Sequence, residues 1–188
     1  DDRAELGELK RVVNTVIQGI DSLDASVVLI AATNHPQMLD TAIWRRFHYK
    51  INFPLPDLDL RTELWSYFLN FGPEQNLACR MLAALSDGHS GADLEQSAFA
   101  ARRHAVLASQ PIDAIAIAAS LTLQELPEDR ISPRSQKSTN DARRRITREL
   151  VLKHNISQAD VGRFLGVTRQ AISTYLKVSQ CLQRTGLY

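Results

Sequence analysis

An amide and two guanidinium groups lie close together in the first third of the chain, at Asn34, Arg45 and Arg46. A guanidinium stabilises the negative charge that spreads over the oxygens of a transferred phosphoryl group, an effect worth about 10³ to 10⁵ in rate. A neutral amide can hold a water molecule or a phosphate oxygen without adding charge. Side chains of these types are compatible with phosphoryl transfer. Taken alone, Asn34 is also compatible with a turn before Pro36, and the arginines with two solvated charges at a helix end.

A buried strand is predicted immediately before Asn34. Residues 27–32 form the apolar run VVLIAA, which is too short for a helix core and rich in β-branched side chains, as in a parallel strand buried on both faces. Thr33 and Asn34 follow at its carboxyl end, where ligands bind in open α/β sheets. Residues 49–53 alternate apolar and polar side chains and predict a further strand.

An amphipathic helix is predicted ahead of this strand. Its apolar side chains recur at helical spacing and would pack one face on the sheet. They are Leu6, Leu9, Val12, Val13, Val16, Ile17 and Ile20.

The order of motifs around the arginine pair is specific. ATN at residues 32–34 is followed by LD at 39–40, the two arginines and PLPD at 54–57. This order resembles the second region of homology of the AAA family of ATPases. The resemblance implies that Asn34 is the sensor-one residue, which positions the attacking water or senses the γ-phosphate. It also implies that Arg45 or Arg46 is an arginine finger that reaches the γ-phosphate of ATP bound by the next subunit.

The chain departs from the commonest family pattern at this pair. A short Gly-containing insert usually separates the two arginines, whereas Arg45 and Arg46 are contiguous here. The sequence therefore leaves open which of the two reaches across to the neighbour.

The phosphate-binding half of an ATPase site is not found in this sequence. It contains no GxxxxGK[ST] loop, and no apolar strand ending in an acidic pair precedes Asn34. We therefore expect ATP and Mg²⁺, the cofactors that the resemblance implies, to be held by residues upstream of Asp1. This part alone would then be inactive. A degenerate protein that does not bind ATP is the alternative.

Helices are predicted after residue 57, as in the lid domain of AAA ATPases. Asp57 or Asp59 can cap the first helix, whose apolar set runs to Leu69, and further helices are expected at about 75–85 and 91–108. The last of these is opened by a capping-box-like pair, Ser90 and Asp93.

The family's SGADL segment is present at residues 90–94. The resemblance places the backbone of Gly91 and Ala92 against the nucleotide, where small side chains let a helix N-terminus approach the base or ribose. Simple helix capping explains the same residues equally well. A conspicuous sensor-two arginine is missing, although Arg102 and Arg103 follow on the same helix.

The two ends of the chain carry opposite charges. Residues 1–129 have 10 basic and 18 acidic side chains, a net charge of −8, whereas residues 130–188 have 12 and 3, a net charge of +9. This asymmetry indicates two modules, the second suited to a polyanion. Residues 127–140, rich in Pro, Ser, Thr, Asn and Gln, are predicted to link them.

Residues 158–177, QADVGRFLGVTRQAISTYLK, resemble the helix-turn-helix of phage repressors and bacterial regulators. Gly166 takes the turn, and the interior would be formed by Val161, Leu165, Val167, Ile172 and Leu176. Gly162 stands where the motif usually has Ala. The second helix would present to DNA a face of polar and basic side chains, namely Thr168, Arg169, Gln170, Ser173, Thr174 and Lys177.

A preceding helix, at about residues 141–154, would add charge for the DNA backbone through Arg143, Arg144, Arg145 and Arg148. A helical hairpin used for protein contacts is the alternative to DNA binding.

We therefore predict part of an α/β P-loop NTPase module, followed by an all-α lid and a C-terminal helix-turn-helix, with mostly helical structure in this chain. The predicted domains are the end of the nucleotide-binding domain at 1–56, the lid at 57–126, the linker at 127–140 and the DNA-binding domain at 141–188.

The expected function is ATP binding and hydrolysis by a homo-oligomeric ring, expected to be a hexamer, coupled to DNA-associated remodelling of an unknown protein. A transcriptional regulator whose DNA affinity is controlled by ATP is the first alternative, and a non-hydrolysing assembly scaffold is the second. The five histidines are scattered, so no metal site is predicted. Two distant cysteines, Cys79 and Cys181, and no run of about 20 apolar residues indicate a soluble, cytoplasmic protein without membrane contact.

Overall fold

The computed structural model describes residues 2–123 and 136–184. Side chains are described at residues 7, 11–123 and 139–177. Three sequence-based expectations lie at least partly outside the described residues: most of the linker (127–135), the Cys181 thiol, and the packing of Leu6 and Leu9. The chain divides into two compact units, Asp1–Phe53 and Pro54–Tyr188.

The first unit begins with α1, Asp2–Asp21, which confirms the helix predicted from apolar spacing. A 3₁₀ turn at Pro36–Met38 and a short helix, α2 at Thr41–Trp44, follow. The Asp40 carboxylate begins α2 by accepting a hydrogen bond of 2.7 Å from the Ala42 amide. Helices α1 and α2 pack against each other.

Both predicted strands are wrong, because the described residues contain no β-strand at 27–32, at 49–53 or elsewhere. The expected burial is also wrong: Val28 and Ile30 are 85% and 86% exposed, and Phe53 is 87% exposed. A strand is held by ladder hydrogen bonds to a neighbouring strand, so an apolar run without a partner strand does not form one. Helix α1 consequently packs on no sheet within this part of the chain.

The second unit is built from helices throughout its described part. They are α3 (Leu58–Leu69), α4 (Asn76–Leu85), α5 (Gly91–Ala108), α6 (Ala114–Leu121), α7 (Gln136–Arg148), α8 (Gln158–Leu165) and α9 (Arg169–Arg184). A π-helical turn, Glu149–Lys153, directly continues α7. Helix α7 begins inside the range expected to form the linker. None of the described helices is both long and apolar enough to cross a membrane.

A buried arginine fixes the start of α3 to the end of α4. Arg61 is 6% exposed, and its Nε donates to the Ala83 carbonyl at 2.8 Å while Nη1 donates to the Pro56 carbonyl at 2.7 Å. Its Nη2 lies 3.0 Å from the Asp87 carboxylate. Every guanidinium nitrogen thus has a partner, which is the condition under which a buried cation is tolerated.

Trp65 lies at the centre of the core and is completely buried. Its Nε1 donates to the Ser86 hydroxyl at 3.0 Å, and that hydroxyl donates to the Leu82 carbonyl at 2.8 Å. The polar atom of the indole is therefore satisfied inside the core, as buried Trp requires. The buried apolar side chains Leu69, Leu94 and Leu121 belong to the same cluster.

Helices α8 and α9 are joined by a tight turn. The Ser157 hydroxyl caps α8 by accepting from the Asp160 amide at 3.1 Å, and Gly166 ends the helix with φ at +65°. The positive φ confirms why glycine was expected there. The predicted interior is confirmed at Val161, Leu165 and Ile172, which are buried.

Gly162 is fixed by contact with this turn. The Val167 amide donates to the Gly162 carbonyl at 2.9 Å, and a Cβ at residue 162 would lie 2.9 Å from the Val167 carbonyl oxygen. The departure from the usual Ala therefore matches a closer approach of turn and helix in this chain.

We expect Gly162→Ala to destabilise the second unit by about 1–2 kcal/mol, because the overpacking cost exceeds the gain in helix propensity. Urea unfolding followed by circular dichroism measures this. Gly91→Ala is the control, because a Cβ there meets its nearest atom, Leu64 Cδ1, at 3.9 Å. A Gly162→Ala midpoint at or above the wild-type value would contradict the prediction.

Candidate functional site

The two adjacent arginines have different surroundings. Arg46 makes a two-pronged ion pair with Asp21, its Nε and Nη2 each donating to a carboxylate oxygen at 2.7 Å. Its Nη1 donates to the Ala42 carbonyl at 2.8 Å. Arg46 thereby holds the end of α1 against α2.

The ion pair shifts both groups towards their charged forms. The hydrogen bond from Arg46 lowers the pKa of Asp21, and the same contact raises the pKa of Arg46. The pKa of Asp21 is lower in the folded state than in the unfolded state. The ion pair therefore contributes fully to folding stability at pH values above the ordinary pKa of a carboxyl group. Its contribution is lost only as the pH falls through the lowered pKa.

Arg45 ends α2 and is exposed. Its guanidinium has no hydrogen bond or ion pair within the described residues, so all its donors are available. Nearby, the Lys50 ammonium lies 5.2 Å from the centre of the Trp44 ring and is occupied by that contact. The structure thus separates an engaged arginine from a free one, a distinction that spacing alone did not provide.

Asn34 is exposed and follows the apolar run. The hydroxyl of its neighbour Thr33 accepts from the His35 amide at 3.0 Å, which turns the chain into the 3₁₀ segment at Pro36–Met38. The Asn34 amide itself makes no hydrogen bond in the described part of the chain. It is available to a ligand in the way that Arg45 is.

The Ser90–Gly91 end of α5 is capped as predicted. Asp93 accepts from the Ser90 amide at 2.8 Å and from the Ser90 hydroxyl at 2.6 Å, and that hydroxyl caps the Asp93 amide at 3.3 Å. Gly91 is half-buried and Ala92 is exposed. Both lie in the first turn, where backbone amides have no partner within the helix.

The capping carboxylate limits what this end of α5 could bind. Hydrogen bonds from Ser90 lower the pKa of Asp93, which is therefore a fixed negative charge in the first turn. That charge repels phosphate and leaves a neutral base or a ribose as a suitable neighbour for Gly91 and Ala92. Arg102, further along α5, donates to the Phe68 carbonyl at 3.2 Å.

The described residues do not supply a metal centre. No three His, Cys, Asp or Glu side chains within them are grouped as a metal ion requires. The described residues thus offer no such group for the Mg²⁺ that the family resemblance implies, and no step of the chemistry is assigned to the metal from them.

The residues predicted to read DNA share one exposed region at the start of α9. Thr168, Arg169, Gln170, Thr174 and Lys177 are exposed, and Ser173 is half-buried. The Thr168 hydroxyl accepts from the Ala171 amide at 3.3 Å and caps the helix. Arg169 and Lys177 have no carboxylate partner in the described part of the chain.

Helix α7 carries further cations. Arg144 lies 3.7 Å from Asp141, whereas Arg143, Arg145 and Arg148 have no ion pair among the described side chains. The Nε atoms of Arg143, Arg144 and Arg145 are buried without hydrogen-bond partners. Because these Nε atoms are buried, any phosphate contact of α7 would have to be made by the terminal Nη atoms of these side chains.

Asp21 is the site residue that sequence reasoning missed. It ends α1, 25 positions before its partner Arg46, and no local pattern links the two.

One known family model matches the beginning of the chain. Residues 2–55 match the model of the ATPase family associated with various cellular activities (AAA). The matched segment contains Asn34, Arg45, Arg46 and Asp21, whereas α3–α9 lie beyond its end.

Curated relatives agree with this match. An AAA family ATPase of Sinorhizobium fredii is 36% identical over 101 residues, covering 51% of this chain and 29% of the relative. The proteasome-activating nucleotidase of Saccharolobus solfataricus is 42% identical over 82 residues, covering 42% of this chain and 21% of the relative. That of Pyrococcus abyssi is 35% identical over 103 residues, covering 53% of this chain and 26% of the relative. This chain thus spans less than a third of the length of these relatives.

Proposed function

We propose that this chain is part of an oligomeric AAA-type ATPase in which Arg45 completes the nucleotide site of a neighbouring subunit. The observation that carries the proposal is that Arg45 is exposed and has no ion pair among the described residues, whereas its neighbour Arg46 is bound to Asp21. Both arginines lie within the segment that matches the family. An arginine that acts on another subunit must have its donors free, and Arg45 meets that condition.

The proposed roles divide between the two arginines. Arg46, held by Asp21, fixes the end of α2 and so the position of its neighbour. Arg45 stabilises the charge on the equatorial oxygens of the γ-phosphoryl group as water attacks it. Asn34 positions that water or senses the γ-phosphate within its own subunit.

The lid contributes to nucleotide binding through the first turn of α5. Gly91 and Ala92 would contact the base or ribose, since the Asp93 carboxylate disfavours a phosphate there. The phosphates and Mg²⁺ would be held by other parts of the complete protein.

Assembly follows from the chemistry of a residue that acts in trans. An arginine finger has no nucleotide site to act on in a monomer. We therefore propose a homo-oligomeric ring, expected to be a hexamer. Two relatives are named as nucleotidases that activate a proteasome. For this chain we propose ATP turnover that acts on a protein substrate whose identity is open.

The C-terminal helices would connect this activity to DNA. Helices α8 and α9 form the proposed helix-turn-helix, with the exposed face of α9 as reader and the α7 arginines as backbone contacts. The same exposed face also suits a transcriptional regulator, the second candidate. DNA that stimulates ATP turnover favours the remodelling ATPase, whereas ATP that changes affinity for a specific operator favours the regulator.

Arg45→Ala in the complete protein should lower ATP turnover by about 10³-fold or more while leaving ATP binding largely intact. Arg45→Lys should not restore it, because an ammonium cannot match the guanidinium fork. Steady-state turnover and nucleotide-binding isotherms measure the two effects.

Arg11→Ala, at another exposed arginine of the same unit, is the control and should leave turnover unchanged. The ATP turnover of Arg46→Ala should be similar to that of Asp21→Asn, because both substitutions remove the ion pair between these two side chains. Full ATP turnover in Arg45→Ala would contradict the assignment of Arg45 to the nucleotide site of a neighbouring subunit.

Arg169→Ala should weaken DNA binding by about 1–3 kcal/mol and relax sequence preference. Fluorescence anisotropy with labelled duplexes at fixed salt measures both. Arg103→Ala is the matched control, since this exposed arginine lies on α5 rather than on the reading helix. Identical isotherms for wild type and Arg169→Ala would mean that α9 does not read DNA.

A further inference from the structure

The lid helices and the C-terminal helices share one hydrophobic core. A single cluster of buried side chains includes Leu82 of α4 and Ile117 of α6 together with Ile146 of α7, Val161 of α8 and Ile172 of α9. All but Ile117 have no exposed surface, and Ile117 is 5% exposed. Two modules joined only by a linker would each have a core of their own.

The helices that meet across this boundary are specific. Helix α4 packs against α8 and against the π-helical turn Glu149–Lys153, and α6 packs against α7. Helices α7 and α8 in turn pack against α9. The reading helix is therefore connected to α4 and α6 through a continuous path of packed helices.

Charge also crosses the boundary. Hydrogen bonds from Ser157 and Arg163 lower the pKa of Asp160 on α8, and Arg80 on α4 adds to that shift. The Arg80 guanidinium therefore lies close enough to Asp160 for its field to act on α8. This long-range charge effect agrees with the helix packing of α8 on α4.

We infer that α3–α9 fold and open as one cooperative body, so that the proposed reading helix is held in a fixed orientation by the lid. The start of α5, with Gly91, and the start of α9, with Arg169, then belong to the same rigid element. A ligand that stabilises one end stabilises the whole body, because binding to the folded state alone raises the stability of every part that unfolds with it.

Hydrogen exchange on the whole chain tests this inference without any ligand. Leu69→Ala removes buried side chain from α3, which packs mainly on α4 and α5. In one body, amide exchange in α8 and α9 should accelerate by the same factor as in α3–α5, on the order of 100-fold. Acceleration confined to α3–α6, with α8 and α9 unchanged, would overturn the inference.

A milder substitution in α9, read out by exchange in α3 and α4, makes the comparison in the other direction. It decides whether the helices open together even if Leu69→Ala does not fold. Ile172→Val removes one methyl group from α9 and should speed exchange in α3 and α4 by about 2- to 10-fold. Unchanged exchange in α3 and α4 would contradict one-body behaviour. Leu107→Ala, at a side chain 87% exposed on α5, is the control and should change nothing.

A hydrogen-exchange experiment with DNA present extends the test. It is the only part of the test that rests on the proposed DNA-binding function. A pool of random-sequence duplex DNA at low salt should slow exchange in α3–α5 by the same factor as in α9. Slowing confined to α9 would overturn the one-body inference. A duplex that does not bind would count against the DNA-binding proposal alone, because the two variants still decide whether the helices open together.

Discussion

The hydrophobic core around Trp65 and Leu82 is the constraint on which the second unit depends. Helices α3–α6 bury their apolar faces there, and α7–α9 complete the same core through Ile146, Val161 and Ile172. Arg61 closes one edge by binding the Pro56 and Ala83 carbonyls, so that even its charge is satisfied. The exposed faces that could meet ligands are positioned by this packing.

The first unit differs in character. Its apolar residues at 27–32 and 49–53 are largely exposed, and an ion pair on its surface joins Arg46 to Asp21 at the end of α1. That contact also distinguishes the two arginines, since it occupies the Arg46 guanidinium, whereas Arg45 has no ion pair in the part of the chain that the structure describes. The proposed ATPase chemistry thus rests on an asymmetry between two neighbouring residues of identical type.

Features determined by local sequence could be predicted, and features determined by distant partners could not. The caps at Asp57 and Ser90, the turn at Gly166 and helices α3, α4, α5 and α8 follow from short-range patterns, and the structure confirms them. The predictions of strands at 27–32 and 49–53 were wrong because a strand forms only when it pairs with another strand. Likewise, the Asp21 partner of Arg46 and the docking of α8 on α4 depend on residues far apart in the chain.

The central claim is that Arg45 serves the nucleotide site of a neighbour, and mixed oligomers of the complete protein test it most directly. Asn34→Ala subunits have a defective site but an intact finger, whereas Arg45→Ala subunits have the reverse. We expect each variant alone to turn over ATP slowly and the mixture to recover turnover that neither possesses. A mixture with only the average activity of the two variants would contradict action between subunits.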